Sequence, residues 1–168
     1  MNVIHRISLL LCSLLLSACG AYHMGTPVPA LEGKRIYIAP AQNESYIAQA
    51  QASVTDNTVK AFLTDGTLSV SGEKDANLFL EIVLKDYDRE TLAKRAEDTG
   101  LTRNVELHLV AEITLSDSNG NVLLNKVPVE ASAQIFSDSG LTQAENAAVP
   151  ELSRELAERI LTQVLGQW

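Results

Sequence analysis

Cysteine is almost missing from this sequence, which holds two cysteines, Cys12 and Cys19, among 168 residues. Both precede the part of the chain in which strand and helix patterns are found. A cut before Cys19 would leave a single cysteine in the mature protein. That count excludes disulfides, cysteine–zinc sites and redox chemistry by a pair of cysteines.

Basic residues are also scarce. Lysine and arginine number 13 against 21 acidic residues, and the formal net charge is −8. Nucleic acids and anionic membrane surfaces both repel a negative protein, so bulk electrostatics disfavours them as partners.

Catalytic and metal-binding motifs are absent from the sequence, which has no Gly-Lys-Ser/Thr phosphate loop, no Gly-x-Ser-x-Gly elbow and no His-Glu-x-x-His. His108 is the only histidine beyond residue 23. It could act as a general base oriented by Glu106 or Glu112, but these acids share its predicted strand and no nucleophile motif accompanies them. We therefore expect a partly exposed strand histidine, and no enzyme activity, metal site or cofactor.

The longest apolar run, residues 7–16, follows the basic start His5-Arg6. It is too short to cross a bilayer and has the length of the apolar part of a signal peptide. The motif Leu16-Ser17-Ala18-Cys19 directly after it is typical of a lipobox, so we predict removal of residues 1–18 and acylation of Cys19. An ordinary secretory peptide would instead leave a free thiol, which is a liability in an oxidising compartment.

Residue 20 is Gly rather than the Asp that retains enteric lipoproteins at the inner membrane, which indicates the periplasmic face of the outer membrane. Loss of the leader with Arg6 would leave 150 residues, of which 12 are basic and 21 acidic, and a charge of −9. We predict a lipidated tether over residues 19–33, which is rich in glycine and proline, and a single domain over residues 34–168.

Hydrophobic periodicity predicts the elements of this domain. Alternating residues indicate strands at 34–39, 77–87, 104–116 and 122–136, with a possible short strand at 68–70 and a tight hairpin at 117–120. Apolar residues at three- and four-residue steps indicate a helix from Ile47 to the Asp65-Gly66 stop. Thr142 and Glu145 form a capping box for a last helix, in which Pro150 predicts a kink or a fresh start.

The order strand, helix, three strands, helix predicts an α+β two-layer sandwich. In it a mainly antiparallel four-stranded sheet carries two helices on one face. We place six semi-apolar residues on the other face and interpret them as partner-facing, although scattered surface apolar residues would look the same. They are Tyr37, Phe79, Val83, Tyr87, Val110 and Phe136.

Basic residues cluster around the loop between the second and third main strands, with one more on the returning strand. They are Arg89, Lys94, Arg95, Arg103 and Lys126. These side chains could hold phosphate or carboxylate groups through charge-assisted hydrogen bonds. Five acids nearby, Asp86, Asp88, Glu90, Glu97 and Asp98, make an ordinary mixed-charge loop an equal alternative.

Several short signatures together resemble the LptE family of lipopolysaccharide-assembly lipoproteins. They are Leu16-Ser17-Ala18-Cys19-Gly20-Ala21-Tyr22-His23-Met24-Gly25, then Lys34-Arg35-Ile36-Tyr37-Ile38-Ala39-Pro40 with Asn43-Glu44-Ser45, and the hairpin Asp117-Ser118-Asn119-Gly120. A final amphipathic helix ending near Trp168 also fits. The usual family start has an aromatic residue directly after Cys-Gly, and here Ala21 is inserted.

The resemblance implies a non-enzymatic partner of the β-barrel LptD, lodged in its lumen as a plug and assisting the passage of lipopolysaccharide. The five basic residues are then candidates for contact with the lipid A phosphates. The alternative is a lipoprotein activator or adaptor of the cell-wall synthesis machinery, resembling LpoB and the TolB N-terminal domain, which share an Ile-x-x-x-Pro-x-x-Asn-like first strand. Such proteins usually carry a longer linker than the dozen residues found here.

Overall fold

The computed structural model describes Leu31 and residues 33–91, 103–137 and 141–168. Six strands and two α-helices follow one another along these residues. They are β1 (Arg35–Ile38), β2 (Gln42–Asn43), α1 (Ala50–Asp65), β3 (Ser69–Val70), β4 (Leu78–Thr91), β5 (Arg103–Asp117), β6 (Val122–Ser137) and α2 (Leu141–Leu165). A short 3-10 turn, Glu73–Asp75, precedes β4.

The strands form one open, mixed sheet. Its order is β3-β1-β4-β5-β6, with β2 also paired to β4. The three long strands β4, β5 and β6 are antiparallel, whereas the short strands β1, β2 and β3 make parallel pairs. The predicted α+β class is confirmed, and the sheet gains the two-residue strand β2, which is too short to leave an alternating pattern in the sequence.

Alternation along the long strands builds the core. In β4, residues Leu78, Leu80, Ile82 and Leu84 are at most 1% exposed, and the β5 partners of the last three, Leu115, Ile113 and Ala111, are fully buried. Both helices cover this face, α1 through Val54 and Phe62 and α2 through Leu152, Leu156, Ile160 and Val164. Each buried aliphatic side chain contributes about 1.5–3 kcal/mol, so this face supplies most of the stability.

A β-bulge at Lys85 changes the side to which the end of β4 points. Leu84 pairs with Ala111 and Asp86 with Val110, so one residue of β4 is left over between them. Beyond the bulge Tyr87 pairs with the buried Leu109 and packs against the core. The prediction that Tyr87 lies on the face away from the helices is therefore wrong, because an extra residue inverts the two-residue alternation.

A similar irregularity occurs in β6. Ile113 pairs with Val127 but Leu115 with Leu124, and Lys126 in the gap has a φ of 50°. Leu124 is consequently buried, whereas Leu123 is 36% exposed, although uninterrupted alternation back from Val127 and Val129 would turn Leu123 inward. Pro128 follows this bulge on β6, the edge strand of the sheet, in agreement with the expectation for a residue that lacks an amide donor.

The predicted hairpin joins β5 to β6, and Gly120 adopts the left-handed conformation with a φ of 82°. The Asp117 carboxylate accepts hydrogen bonds from the backbone amides of Asn119 and Asn121 and from the Asn121 side chain. These bonds, led by the one from the Asn121 side chain, hold the pKa of Asp117 below its ordinary value. The turn is thus fixed by one carboxylate as well as by glycine.

The last helix differs from its prediction at its start. It runs continuously over Leu141–Leu165 with Pro150 inside it, so of the two alternatives predicted at Pro150 the fresh start is excluded. Thr142 is its second residue and not the residue that caps it. The buried stripe from Val149 to Val164 explains the continuity, because packing against the sheet offsets the hydrogen bond that proline cannot make.

The substitution Leu80→Ala should lower the free energy of unfolding by about 2–5 kcal/mol, because Leu80 is fully buried on the helix-covered face. Leu63→Ala is the matched control, since Leu63 is 62% exposed on α1 and its truncation should change stability by less than about 0.5 kcal/mol. Urea unfolding followed by circular dichroism measures both. Equal losses in the two variants would contradict the assignment of the core.

Candidate functional site

The face of the sheet opposite the two described helices, called the open face, is built from the alternate residues of the strands. Row by row it contains Arg35 and Ser69; Tyr37, Phe79, Ser116 and Val122; Glu81 and Thr114; Gln42, Val83, Glu112 and Pro128; Asp86, Val110 and Glu130; Asp88, His108 and Ser132; Glu90, Glu106 and Gln134; and Asn104 and Phe136. Most solvated sheet faces are polar, but this one mixes aromatic, aliphatic and acidic side chains.

The apolar part of the open face has two ends. At one end the rings of Tyr37 and Phe79 meet edge to face, with centroids 6.4 Å apart and planes at 67°. At the other end Phe136 is 66% exposed. Between them Val83 and Val110 are partly buried. Five of the six residues predicted to share a face are therefore found together, and their role toward a partner stays a prediction.

His108 lies in the middle of the acidic part of the open face. Its Nδ1 is 2.8 Å from Glu130 Oε1, and because a carboxylate only accepts, the ring nitrogen donates this hydrogen bond. Its Nε2 is buried, has no hydrogen-bond partner among the described residues, and lies 3.9 Å from Glu106 Oε2. The outward, partly exposed position agrees with the sequence. The orienting acid comes from the neighbouring strand, which only the β5–β6 register could identify.

Tyr87 and Arg89 lie on the helix side of the sheet, next to the first turns of α2. Arg89 Nη1 is 3.0 Å from Glu145 Oε1, whose side chain is 12% exposed. Burial, together with the nearby Glu145 carboxylate, raises the pKa of Tyr87, and Arg89 opposes the shift. Arg89, a candidate lipid contact, is thus an ion-pair partner of α2 in the folded chain.

The predicted basic residues do not meet at one place. Lys126 is exposed at the β6 bulge, whereas Arg89 pairs with Leu107, which pairs with Ala133. Seven residues of strand separate Lys126 from Ala133, which corresponds to about 23 Å. Lys94, Arg95 and Cys19 lie outside the described residues, as does the side chain of Arg103, so their predicted roles stay predictions.

Other parts of the described chain offer little chemistry. A groove between α1 and α2 is lined by Lys60, Asp65 and Arg154, but Arg154 already donates hydrogen bonds to Glu151 and Glu158. The described residues contain no group of three His, Cys, Asp or Glu placed to bind a metal ion. Within the same residues, no helix is both long and apolar enough to span a bilayer.

These features define a small α+β sandwich that presents a semi-apolar sheet face and holds its other face under two helices. The model of the LptE family, described as lipopolysaccharide-assembly, matches residues 33–164. The chain belongs to this family, whose members are non-enzymatic lipoproteins of the cell envelope that act in lipopolysaccharide assembly.

Solved structures with the same fold come from several bacteria. A hypothetical protein of Chlamydia trachomatis aligns with a TM-score of 0.54 and 11% identity over 80% of this chain and 96% of its own. The rare lipoprotein B of Shewanella oneidensis aligns with a TM-score of 0.51 and 15% identity over 79% of this chain and 95% of its own. An uncharacterized lipoprotein B of Nitrosomonas europaea aligns with a TM-score of 0.51 and 14% identity over 79% of each chain. At these identities the likeness concerns the fold alone. A search of curated protein sequences found no significant match.

Tyr87→Phe should reduce the loss of stability at high pH. Burial raises the folded-state pKa of Tyr87 above its unfolded value of about 10, so the stability due to its neutral form is complete below that pH. This stability is lost as the pH rises through the folded-state pKa of Tyr87. A phenylalanine at this position has no ionisable group, so its contribution does not depend on pH. Thermal unfolding between about pH 9 and pH 12 tests this, with Tyr46→Phe, at a side chain 95% exposed, as control. An alkaline profile of Tyr87→Phe identical to that of the parent would contradict the buried placement.

Proposed function

We propose that this protein is an outer-membrane lipoprotein, anchored through Cys19, that acts as the plug and partner of the β-barrel lipopolysaccharide translocon LptD. The observation that carries the proposal is the family match over residues 33–164, which runs from the start of β1 almost to the end of α2. It includes every strand of the open face. The family's role supports a function in lipopolysaccharide assembly, and the open face is the surface that could contact the partner.

A barrel lumen suits this domain. The interior of a large outer-membrane barrel is polar and water-filled, and it accepts a compact sandwich whose surface carries both charges and aromatic rings. The open face meets that description, because carboxylates alternate there with Val83 and Val110, and the Phe136 ring is exposed at one end. Shape and polarity together favour a protein partner over insertion into the lipid itself.

The length of the tether supports a partner close to the membrane. Leu31 is fully buried in the core, so the predicted tether is fixed to the domain at that residue. The twelve steps from Cys19 to Leu31 extend at most about 43 Å. An activator of cell-wall synthesis, the alternative function, would need to reach farther into the periplasm and is disfavoured for that reason.

Contact with the lipid A phosphates is a further part of the proposal. Its candidates are Arg89, Lys94, Arg95, Arg103 and Lys126. Arg89 is held by Glu145 and Lys126 lies near the other end of the sheet, so the residues around the β4–β5 connection are the stronger candidates. Net charge argues against lipopolysaccharide binding elsewhere, because the rest of the surface is predominantly acidic.

Affinity purification of the tagged full-length protein from detergent-solubilised outer membranes tests the proposal. We expect one large β-barrel protein in the eluate and a diacyl or triacyl modification of Cys19 by mass spectrometry. Cys19→Ser should leave the protein without lipid and out of the membrane fraction. Charge reversal at Arg95 and Arg103 should lower the lipopolysaccharide content of the eluate, with charge reversal at the exposed Lys60 and Lys74, which are not candidate contacts, as the control.

Three outcomes would contradict these assignments separately. An unmodified Cys19 thiol would exclude the anchor. Elution of the acylated protein alone would exclude the barrel partnership. Unchanged lipopolysaccharide content after both charge reversals would exclude the lipid contacts.

A further inference from the structure

The centre of the open face is a patch of alternating valines and carboxylates, here called the Val110 patch, formed by Val83, Asp86, Val110, Glu112 and Glu130. Val83 lies directly opposite Glu112, and Val110 lies between Asp86 and Glu130 on its two neighbouring strands. Residues directly opposite in an antiparallel pair have Cβ atoms about 4.5–5.5 Å apart. Each valine of the patch therefore has a carboxylate as its cross-strand neighbour.

The bulge at Lys85 creates this arrangement. Without the extra residue, Lys85 and not Asp86 would continue the outward series of Phe79, Glu81 and Val83. With it, Asp86 turns outward beside Val110, while the Lys85 ammonium forms an ion pair with Glu44. Glu44, and to a smaller extent the Glu112 carboxylate of the patch, raise the pKa of Lys85. The local cation is thus paired mainly with Glu44, and an acid stands in the centre of the patch.

Charge in the patch is only partly compensated within the described residues. Glu130 accepts the hydrogen bond from His108. Asp86 and Glu112 take part in no ion pair within residues 33–91, 103–137 and 141–168, although the Asp86 carboxylate accepts the backbone amide of Tyr87. Like charges gathered on one sheet face repel, and a counter-charge from outside removes that cost.

The pattern selects the chemistry of a partner. Arginine and lysine carry long aliphatic stems that lie on apolar surface, with a charged head that binds carboxylates through charge-assisted hydrogen bonds. The patch provides valine side chains for the aliphatic stems and carboxylates for the charged heads. Anionic lipid is disfavoured as an occupant, since its phosphates would face Asp86, Glu112 and Glu130.

We propose that the Val110 patch binds a cationic protein surface, with arginine or lysine stems on Val83 and Val110 and their heads at Asp86 and Glu112. This inference rests on the proposed function in one respect, because the barrel partner is taken to carry the basic surface. To the proposed function it adds two points. The open face of the domain contacts the partner, and the partner's surface at that contact is positively charged.

The test compares two double variants of the full-length lipoprotein. Asp86→Asn with Glu112→Gln removes two charges from the patch while keeping side-chain size. Asp56→Asn with Glu73→Gln removes two charges from exposed positions on α1 and on the 3-10 turn, so the net charge is equal. The barrel protein retained by each from solubilised outer membranes is measured over a range of salt concentrations.

We expect the patch variant to retain about three- to tenfold less barrel protein at about 0.15 M salt, with a shallower dependence on salt than the parent. The control variant should match the parent. Thermal unfolding of the patch variant should be unchanged or occur at higher temperature, because repulsion is relieved, which separates lost binding from lost folding.

Two results would overturn the proposal while leaving the barrel partnership intact. One is equal retention by parent and patch variant, and the other is an equal loss in the control variant, which would show an effect of net charge alone. A parent protein that retains no barrel at all would overturn the proposed function and this inference with it. Binding of lipopolysaccharide micelles that depends on Asp86 and Glu112 would also exclude a cationic protein as the occupant.

Discussion

The burial of one sheet face under two helices is the constraint on which the rest of this structure depends. Strands β4, β5 and β6 place leucine, isoleucine, valine or alanine at every second residue over most of their length, and these side chains meet the apolar stripes of α1 and α2. Because a strand alternates strictly, the intervening residues must point the other way. The fold therefore produces a second face that stability does not need and that a partner can use.

The two bulges show how the chain modifies this rule where a specific side chain must be redirected. At Lys85 the alternation of β4 inverts, which brings Tyr87 and Arg89 to the helix side and Asp86 to the open face. At Lys126 the register of β6 shifts, which buries Leu124 in place of Leu123. Bulges are common near functional surfaces because they re-aim residues without changing the sheet. Here one of them sets the charge at the centre of the open face.

The sequence predicts those features that rest on periodicity. The inward series of β4 and β5, the helix that ends at Gly66 and the hairpin at residues 117–120 all follow from spacing and turn chemistry. Features that rest on register between strands could not be predicted. Neither the extra residue at Lys85 nor the bond between His108 and Glu130 changes the composition of a segment, and both became visible only when strands were paired.

The same distinction applies to the functional residues. Five of the six residues predicted for the open face lie on it because alternation alone places them. The basic residues come from two separate segments of the sequence, and Lys126 is distant from Arg89 in the sheet. Family membership and the open face point to one account, in which the helix-covered face holds the fold and the open face serves a partner.

Two adjacent residues test this division most directly, since Leu109 faces the helices and Val110 faces outward. The account predicts that Leu109→Gln lowers the free energy of unfolding by more than about 3 kcal/mol. Val110→Gln should change it by less than about 1 kcal/mol and yet reduce the barrel protein retained from outer membranes. Equal destabilisation by the two substitutions, or a stable Val110→Gln protein that retains its barrel undiminished, would contradict it.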